Sequence, residues 1–385
     1  MQDSASERIF SGERLELPPQ RTRLEEFCSQ LRKNRLALVG LIIFGLFFLV
    51  AVVGMLLTTG TSPVLDPSLV RLQEKLRPPL SVPNLESLLP EEVVPLRIYL
   101  LGTDELGRDV FARMLQGAWV SLTVGFVAVG LAVIIGVFLG GLSGYYGQSY
   151  IRLGQVILVL LAIWVAVGWS RLSGVYLVII AAVAMFVLVA TLIQGRERSS
   201  GPFSLLDARL LSVDALITSL IDIMLCFPSF FLILTVVALL PASIYNIMIV
   251  IGLTSWMGAA RFVRAEFLSL REQDFVTAAR ALGVSDWRII FRHMVPNAIA
   301  PVLVSATIGI AGAILTEAGL SFLGFGVPPP HATWGNILSD GKNYLFDAPW
   351  LTIIPGVAIL VVVLSFNLFG EGMRDILNPK LRERH

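Results

Sequence analysis

Six runs of about 20 mostly apolar residues, at 36–57, 118–142, 215–240, 244–263, 298–320 and 351–370, decide what this chain can fold into. A run of that length matches a hydrocarbon layer about 30 Å thick. Inside such a layer a single segment satisfies its own backbone N–H and C=O groups only as a helix. Two further apolar segments, 151–169 and 174–193, are joined by a few residues around Arg171 and read as a helical hairpin, which brings the expected spans to eight. Composition agrees: 55% of residues are hydrophobic, 15% are charged, and mean hydropathy is +0.78. A soluble domain carries roughly a quarter charged residues. The expected fold class is an all-α polytopic membrane protein.

Net charge is only +1, which gives no bulk attraction for nucleic acid. Placement says more than the sum. Most of the 29 Lys and Arg fall in five segments that share one side if the chain starts inside: the N-terminal tail, Arg152, 196–209, 261–292 and the C-terminal tail. The positive-inside rule then sets both termini in the cytoplasm. The 151–193 insert must cross twice or not at all, or the basic 261–292 segment would change sides. Cys28 and Cys226 lie in a polar tail and an apolar span, so no disulfide framework is expected. The first span follows a basic tail of about 35 residues and reads as a signal anchor, not a cleaved leader.

Between the first two spans, 58–117 forms an outside loop. Its early prolines (Pro63, Pro67, Pro78, Pro79, Pro83, Pro90, Pro95) predict stiff, extended chain. At its end, Thr103 or Asp104 is expected to cap a short amphipathic helix carrying Val110, Phe111, Met114 and Leu115 on its apolar side. Within the spans, Gly136, Gly140 and Gly144 recur every fourth residue, as do Ser305, Gly309 and Ala313. Such small faces predict close helix packing.

The segment 277–297, TAARALGVSDWRIIFRHMVPN, is polar and helix-patterned although it lies between two spans. Helix-permissive residues run to Leu282, and Gly283 interrupts them as a glycine beyond a helix end does. Ser285 is placed to cap the next helix and Asp286 to suit its positive first turn. In that helix Trp287, Ile290, Phe291 and Met294 are expected on one face, with Arg288 and Arg292 on another and Pro296 at the handover to the next span. A charged elbow of this kind is a place for a soluble partner to dock.

The elbow resembles the signature loop of ABC importer permeases, in which Glu-Ala-Ala, a glycine four residues after the second alanine, and a later Leu-Pro form the pattern. Here the residues are Thr277-Ala278-Ala279, Gly283 and Val295-Pro296, with Thr277 and Val295 departing from it. LRKNRLALVGLIIF from Leu31, LGTDELGRDVFARM from Leu101, DIMLCFPSFF from Asp222, FVTAARALG from Phe275, LTEAGLSFLGFGVPPPHATWGNIL from Leu315 and NLFGEGMRDILNP from Asn367 resemble the C-type permease of dipeptide/oligopeptide importers. This resemblance covers most of 31–380. It implies a type I ABC importer transmembrane fold of six core helices, to which the 151–193 hairpin is an addition. It further implies a second, B-type permease, two ATP-binding subunits that use ATP and Mg, and an external substrate-binding protein. No cofactor is expected on this chain itself, whose remaining contacts are with membrane lipid. The coupling contact with the ATPases then falls on Ala278, Ala279, Gly283, Val284, Ser285 and Asp286. The expected organisation is a cytoplasmic tail (1–35), a first span (36–57), the outside loop (58–117), the permease domain (118–370) with its coupling loop at about 264–297, and a C-terminal tail (371–385).

Asp222 and Glu317 lie in or near apolar spans, and both are candidates for the translocation path. An Asp at a helix centre costs about 3 kcal/mol on insertion scales, so it should face a cavity or a partner. Pro228, following Phe227, is expected to kink the Asp222 span, and no intramembrane cation is evident as a partner for either acid. Several chemistries lack their residues. No GxxxxGK[ST] loop occurs, and His293, His331 and His385 are scattered without metal-ligand spacing. No HExxH, CxxC or GxSxG is present, and no covalent catalysis is expected. Within the same class the cargo could be a nickel chelate or another small solute. In a different class, an ion-coupled secondary transporter usually shows inverted repeats, and none is evident here.

Overall fold

The computed structural model describes residues 29, 31–32, 34–60, 63–86, 88, 95–147, 149–152 and 209–377. Its first helix, α1 (Arg35–Thr58), starts where the Asn34 side chain accepts the Ala37 N–H at 3.1 Å. Only Ala37, Gly40, Ala51, Gly54 and Thr58 of α1 are buried, whereas Leu36, Leu46, Phe48, Leu49 and Leu56 are exposed. Small residues turned inward and large apolar ones outward are the reverse of a water-soluble helix. It is the pattern of a helix set in lipid, where packing depends on close backbone approach.

Helix α2 (Val110–Tyr145) is capped by Asp109, whose Oδ1 accepts the Phe111 N–H at 2.9 Å. The separate amphipathic helix expected before it does not form, because Val110 to Leu115 are the first turns of α2 itself. The polar residues of these turns and just after, Arg113 and Gln116, find partners in the fold and need no water. A two-stranded antiparallel pair follows, β1 (Tyr150–Arg152) with β2 (Arg209–Ser212). The span expected to start at Ile151 therefore does not start there. The rest of the expected hairpin, to 193, lies outside the described residues, as does the N-terminal tail before Ser29. The ladder brings the two ends of the 153–208 stretch together.

Helices α3 (Val213–Cys226) and α4 (Ser229–Leu239) form one broken span, bent by 82° at Phe227–Pro228, where a kink was expected. Helix α5 (Ile244–Leu270) leads to the short α6 (Asp274–Ala281). Helix α7 runs unbroken over Asp286–Phe322, and α8 (Trp334–Gly341) and α9 (Trp350–Leu377) complete the chain. Among the described residues this gives five long apolar helices and the bent pair. The bundle has two ends. At the elbow end lie β1–β2 and α6, with the start of α1 packed near the end of α9 through Leu31, Ala37 and Ile376. At the loop end lie residues 59–109 and α8.

The glycine spacing in α2 does what it predicts. A Cβ on Gly136 would meet Ala259 Cβ, one on Gly140 the Ala260 carbonyl oxygen, and one on Gly144 Phe267 Cβ, all within 2.6 Å. Helices α2 and α5 thus press backbone to backbone. The loop-end segment is not the extended connection its prolines suggested. Leu80 and Tyr99 pair with backbone bonds of 2.7 and 2.9 Å, the latter to Ser81, and Glu74, Tyr99, Thr103 and Asp104 are all buried. Buried Glu74 accounts for the difference. It accepts from Arg77 Nε and from the Asn84 N–H, both at 3.0 Å, and so folds the loop back on itself.

Candidate functional site

The elbow is built around one glycine. Gly283 has φ +73°, in the left-handed region, and a Cβ there would meet nothing within 4 Å. The glycine is required by its backbone angle, not by crowding. The Val284 N–H reaches the Ala279 carbonyl at 3.1 Å and the Gly283 N–H reaches that of Arg280 at 2.9 Å. These two bonds form the Schellman arrangement that closes a helix on a left-handed residue. Ser285 occupies the N-cap of α7 with its backbone, its carbonyl accepting from Arg288 and Ile289 at 2.9 and 3.0 Å. Its side chain makes no cap bond, contrary to expectation.

The face expected to carry Trp287, Ile290, Phe291 and Met294 together is split. Residues Ile289–Met294 form a π-turn, which shifts the helix repeat towards five residues. Ile289, Ile290 and Met294 are buried, while Trp287 and Phe291 stack outside with ring centroids 5.5 Å apart. Pro296, which has no N–H to give, follows directly and is carried within α7.

One face of the elbow belongs to the bundle core. Val276, Ala279, Ile289, Ile290 and Met294 cluster with Tyr145 of α2 and Val263, Phe267 and Leu270 of α5. The six candidate coupling residues therefore divide. Ala278, Gly283, Ser285 and Asp286 are exposed, Ala279 is buried, and Val284 is half-buried. Leu282, not among them, is 83% exposed.

Asp286 ties the elbow to the end of α2. Tyr145 Oη donates to its Oδ1 at 2.6 Å and Tyr146 Oη to its Oδ2 at 3.1 Å. Arg280 of α6 stacks over the Tyr145 ring at 4.7 Å and reaches its hydroxyl at 3.3 Å. Burial, and then the Asp286 carboxylate, push the Tyr146 hydroxyl up to about 12. A raised phenol contributes stability that is complete below its ordinary value near 10 and is lost as pH rises through 12, so the latch holds across neutral pH. Asp286→Ala removes a charged acceptor from two hydroxyls, a loss of about 1.5–3 kcal/mol per bond. The expected result is faster amide exchange over 274–290, at least about tenfold, with α2 and α5 unchanged.

Of the two acids in the spans, Asp222 on α3 is exposed and has a cation: Arg261 NH2 on α5 lies 2.8 Å from its Oδ1. Sequence offers no sign of this partner, because Arg261 is 39 residues away and stands among the basic residues of 261–292; only the packing of α3 against α5 brings it to Asp222. A second pair, Arg264 with Asp214, is bidentate, its NH2 contact at 2.6 Å, and Ser143 also donates to Asp214. Glu317 on α7 is fully buried. Ser321 Oγ donates to it at 2.7 Å and Ser121 Oγ of α2 at 3.5 Å, and Thr333, before α8, lies 3.5 Å from Ser321 Oγ. The chain's own side chains enclose it. At the loop end, Asp104, Arg108, Arg113 and Asp340 form a network: Asp104 with Arg108 and Arg113 (2.7 and 2.5 Å), Asp340 with the same two (3.1 and 2.9 Å). Among the described residues no group of three or more His, Cys, Asp or Glu side chains is placed to hold a metal ion.

Comparison with known proteins fits these parts. The model of the binding-protein-dependent transport system inner membrane component matches residues 202–383, and that of the N-terminal transmembrane domain of oligopeptide transport permease C matches 22–79. Over 357 residues the chain is 36% identical to a dipeptide transport system permease protein of Alkalihalophilus pseudofirmus, covering 93% of this chain and 90% of that one. The chain belongs to this family of ABC importer permeases. The permease is also 31% identical to the oligopeptide transport system permease protein of Bacillus subtilis, over 92% of this chain and 88% of that one. To a di/tripeptide transport system permease protein of Pseudomonas aeruginosa it is 32% identical over 93% of both. It is accordingly a multi-pass inner-membrane protein with the type I importer fold. Neither family match includes residues 80–201.

Proposed function

We propose that the permease is one half of the translocation path of an ATP-driven peptide importer, paired with a second, B-type permease. Two ATPase subunits that use MgATP dock at the elbow end, and an external binding protein delivers cargo to the loop end. The elbow end with both termini then faces the cytoplasm. The 118–370 segment is the transport domain, with the insert at about 151–193 added to it and 264–297 as its coupling loop. Peptide is the cargo class favoured by the relatives, whose names specify dipeptide, oligopeptide and di/tripeptide transport.

The observation that carries this reading is the two-sidedness of the elbow. Its inner face is continuous with the packing of α2, α5 and α7, and its outer face presents Ala278, Leu282, Gly283 and Ser285. A soluble subunit gripping the outer face would move the helix ends as one body, since packed side chains transmit displacement instead of absorbing it. Asp286 works inward in this scheme as the latch to Tyr145 and Tyr146. Glu317 is best read as a pin that fixes α8 to α2 and α7, and Asp222 as the residue that faces the path. Mild-detergent purification of the tagged native chain, with mass spectrometry of what accompanies it, tests the assembly. A second permease in an amount equal to the chain, and ATPase subunits totalling twice that amount, are expected; a chain recovered alone from cells that carry out the transport contradicts it.

A further inference from the structure

Helices α3 and α5 share two acid–arginine pairs that are built differently. Asp214 and Arg264 are partly buried, joined by two bonds, and Ser143 and Thr218 add their hydroxyls to Asp214. Asp222 and Arg261 share a single 2.8 Å contact, with side chains 59% and 55% exposed. The second Asp222 oxygen and most of the Arg261 N–H groups meet no other side chain among the described residues. Both residues stand about 14 Å from the elbow end of their helices, nine residues at 1.5 Å each, with Asp222 inside the apolar run 215–240 and Arg261 near the elbow-side edge of the run 244–263. Open charges at that depth need water or a polar partner, not acyl chains.

Their surroundings point the same way. Ser219 lies one turn from Asp222 on the same exposed face of α3, and Ser255 and Gly258 continue the Arg261 face of α5. A Cβ on Gly258 would meet nothing within 4 Å. The exposed surface around the pair is mixed, since Ile223 and Leu225 flank Asp222 and Phe262 flanks Arg261. One acid and one base set among apolar side chains are matched to a peptide, which carries both charges and apolar substituents. The geometry points to Asp222 and Arg261 as a cargo site on the path, where Asp222 takes the ammonium end of a peptide and the Arg261 fork takes its carboxylate end. The pair closes on itself when the site is empty and opens around a zwitterion, exchanging one ion pair for two. This rests on the reading of the chain as a peptide importer's permease.

The test uses the complete importer in nanodiscs and proteoliposomes, with trialanine as the zwitterionic probe. In a Cys28→Ser, Cys226→Ser background, Asp222→Cys is exposed to anionic and cationic methanethiosulfonates of similar size. Arg261 should make the anionic reagent react at least about tenfold faster, trialanine should protect the thiol, and adding Arg261→Met should abolish the preference. Arg261→Met in the same background should also raise the trialanine concentration that half-protects the thiol about tenfold or more, the loss of one charge-assisted contact, with assembly retained. An introduced thiol that stays unreactive in the assembled complex assigns the pair to lipid or to the second permease and overturns the inference. So does an unchanged half-protecting concentration. Protection by trialanine in a complex whose uptake runs on an ion gradient supports the site while sinking the ATP-driven reading, so the two failures are distinguishable.

Discussion

Gly283→Arg should leave the permease in the membrane and paired with its partner permease while removing the ATPase subunits. Recovery of those subunits should fall to about a tenth or less, and transport with it. Two effects combine. A side chain at φ +73° costs about 1–2 kcal/mol of backbone strain, and the Schellman bonds that set the angle between α6 and α7 are loosened. The larger effect is bulk: space around Gly283 is open in the chain alone, so a long cationic side chain there occupies the room a docking subunit needs. Gly283→Ala separates the two, since it carries the strain without the bulk and should lower transport only about fivefold, the equivalent of 1 kcal/mol. Blue-native electrophoresis with quantitative mass spectrometry reads the first effect and vesicle uptake the second. Equal transport by the Arg and Ala variants would show that nothing docks at the turn.

Arg113→Met should be the most damaging change at the loop end. Arg113 is almost completely enclosed and joins Asp104, itself fully buried, to Asp340 on α8. Removing the cation leaves a buried carboxylate with Arg108 as its remaining cation, and breaking a buried pair costs about 3–5 kcal/mol. In a domain of this size that is a fall on the order of 10 °C in unfolding temperature, measurable on the detergent-solubilised protein. Arg108→Met should cost much less, because Arg113 still bridges both acids and the Arg108 side chain is 15% exposed. The double change Arg113→Met, Asp104→Asn should recover part of the loss, since it removes the stranded charge. A wild-type melting curve for Arg113→Met would mean that the network does not fix the loop to α8.

The spans were legible because lipid demands long apolar helices: five of the six principal runs lie within a helix, and the sixth, 215–240, follows the bent pair to one residue past its end. Their ends were not. Helix α2 starts at Val110, eight residues before its apolar run, because Arg113 and Gln116 are satisfied by Asp104, Asp340 and the Ala332 N–H, contacts no local pattern reveals. Helix α7 starts at Asp286 because the π-turn carries the chain past Pro296, and the same turn moves Trp287 and Phe291 to the outside. Gly283 and its helix ending could be read directly, since a left-handed residue has few sequence solutions. The inward ties of the elbow could not. Tyr145, Tyr146 and Arg280 are ordinary helix-end residues until the fold brings Asp286 to them, and Arg261 becomes the partner of Asp222 only once α3 lies against α5.

Uptake into proteoliposomes measures the central claim most directly, with the purified complex, a loaded binding protein and a radiolabelled peptide. Accumulation that requires internal or external MgATP on the elbow side, requires the binding protein on the loop side, and survives collapse of all ion gradients is the expected result. Accumulation by the permease without ATPase subunits, driven by an ion gradient alone, would contradict it.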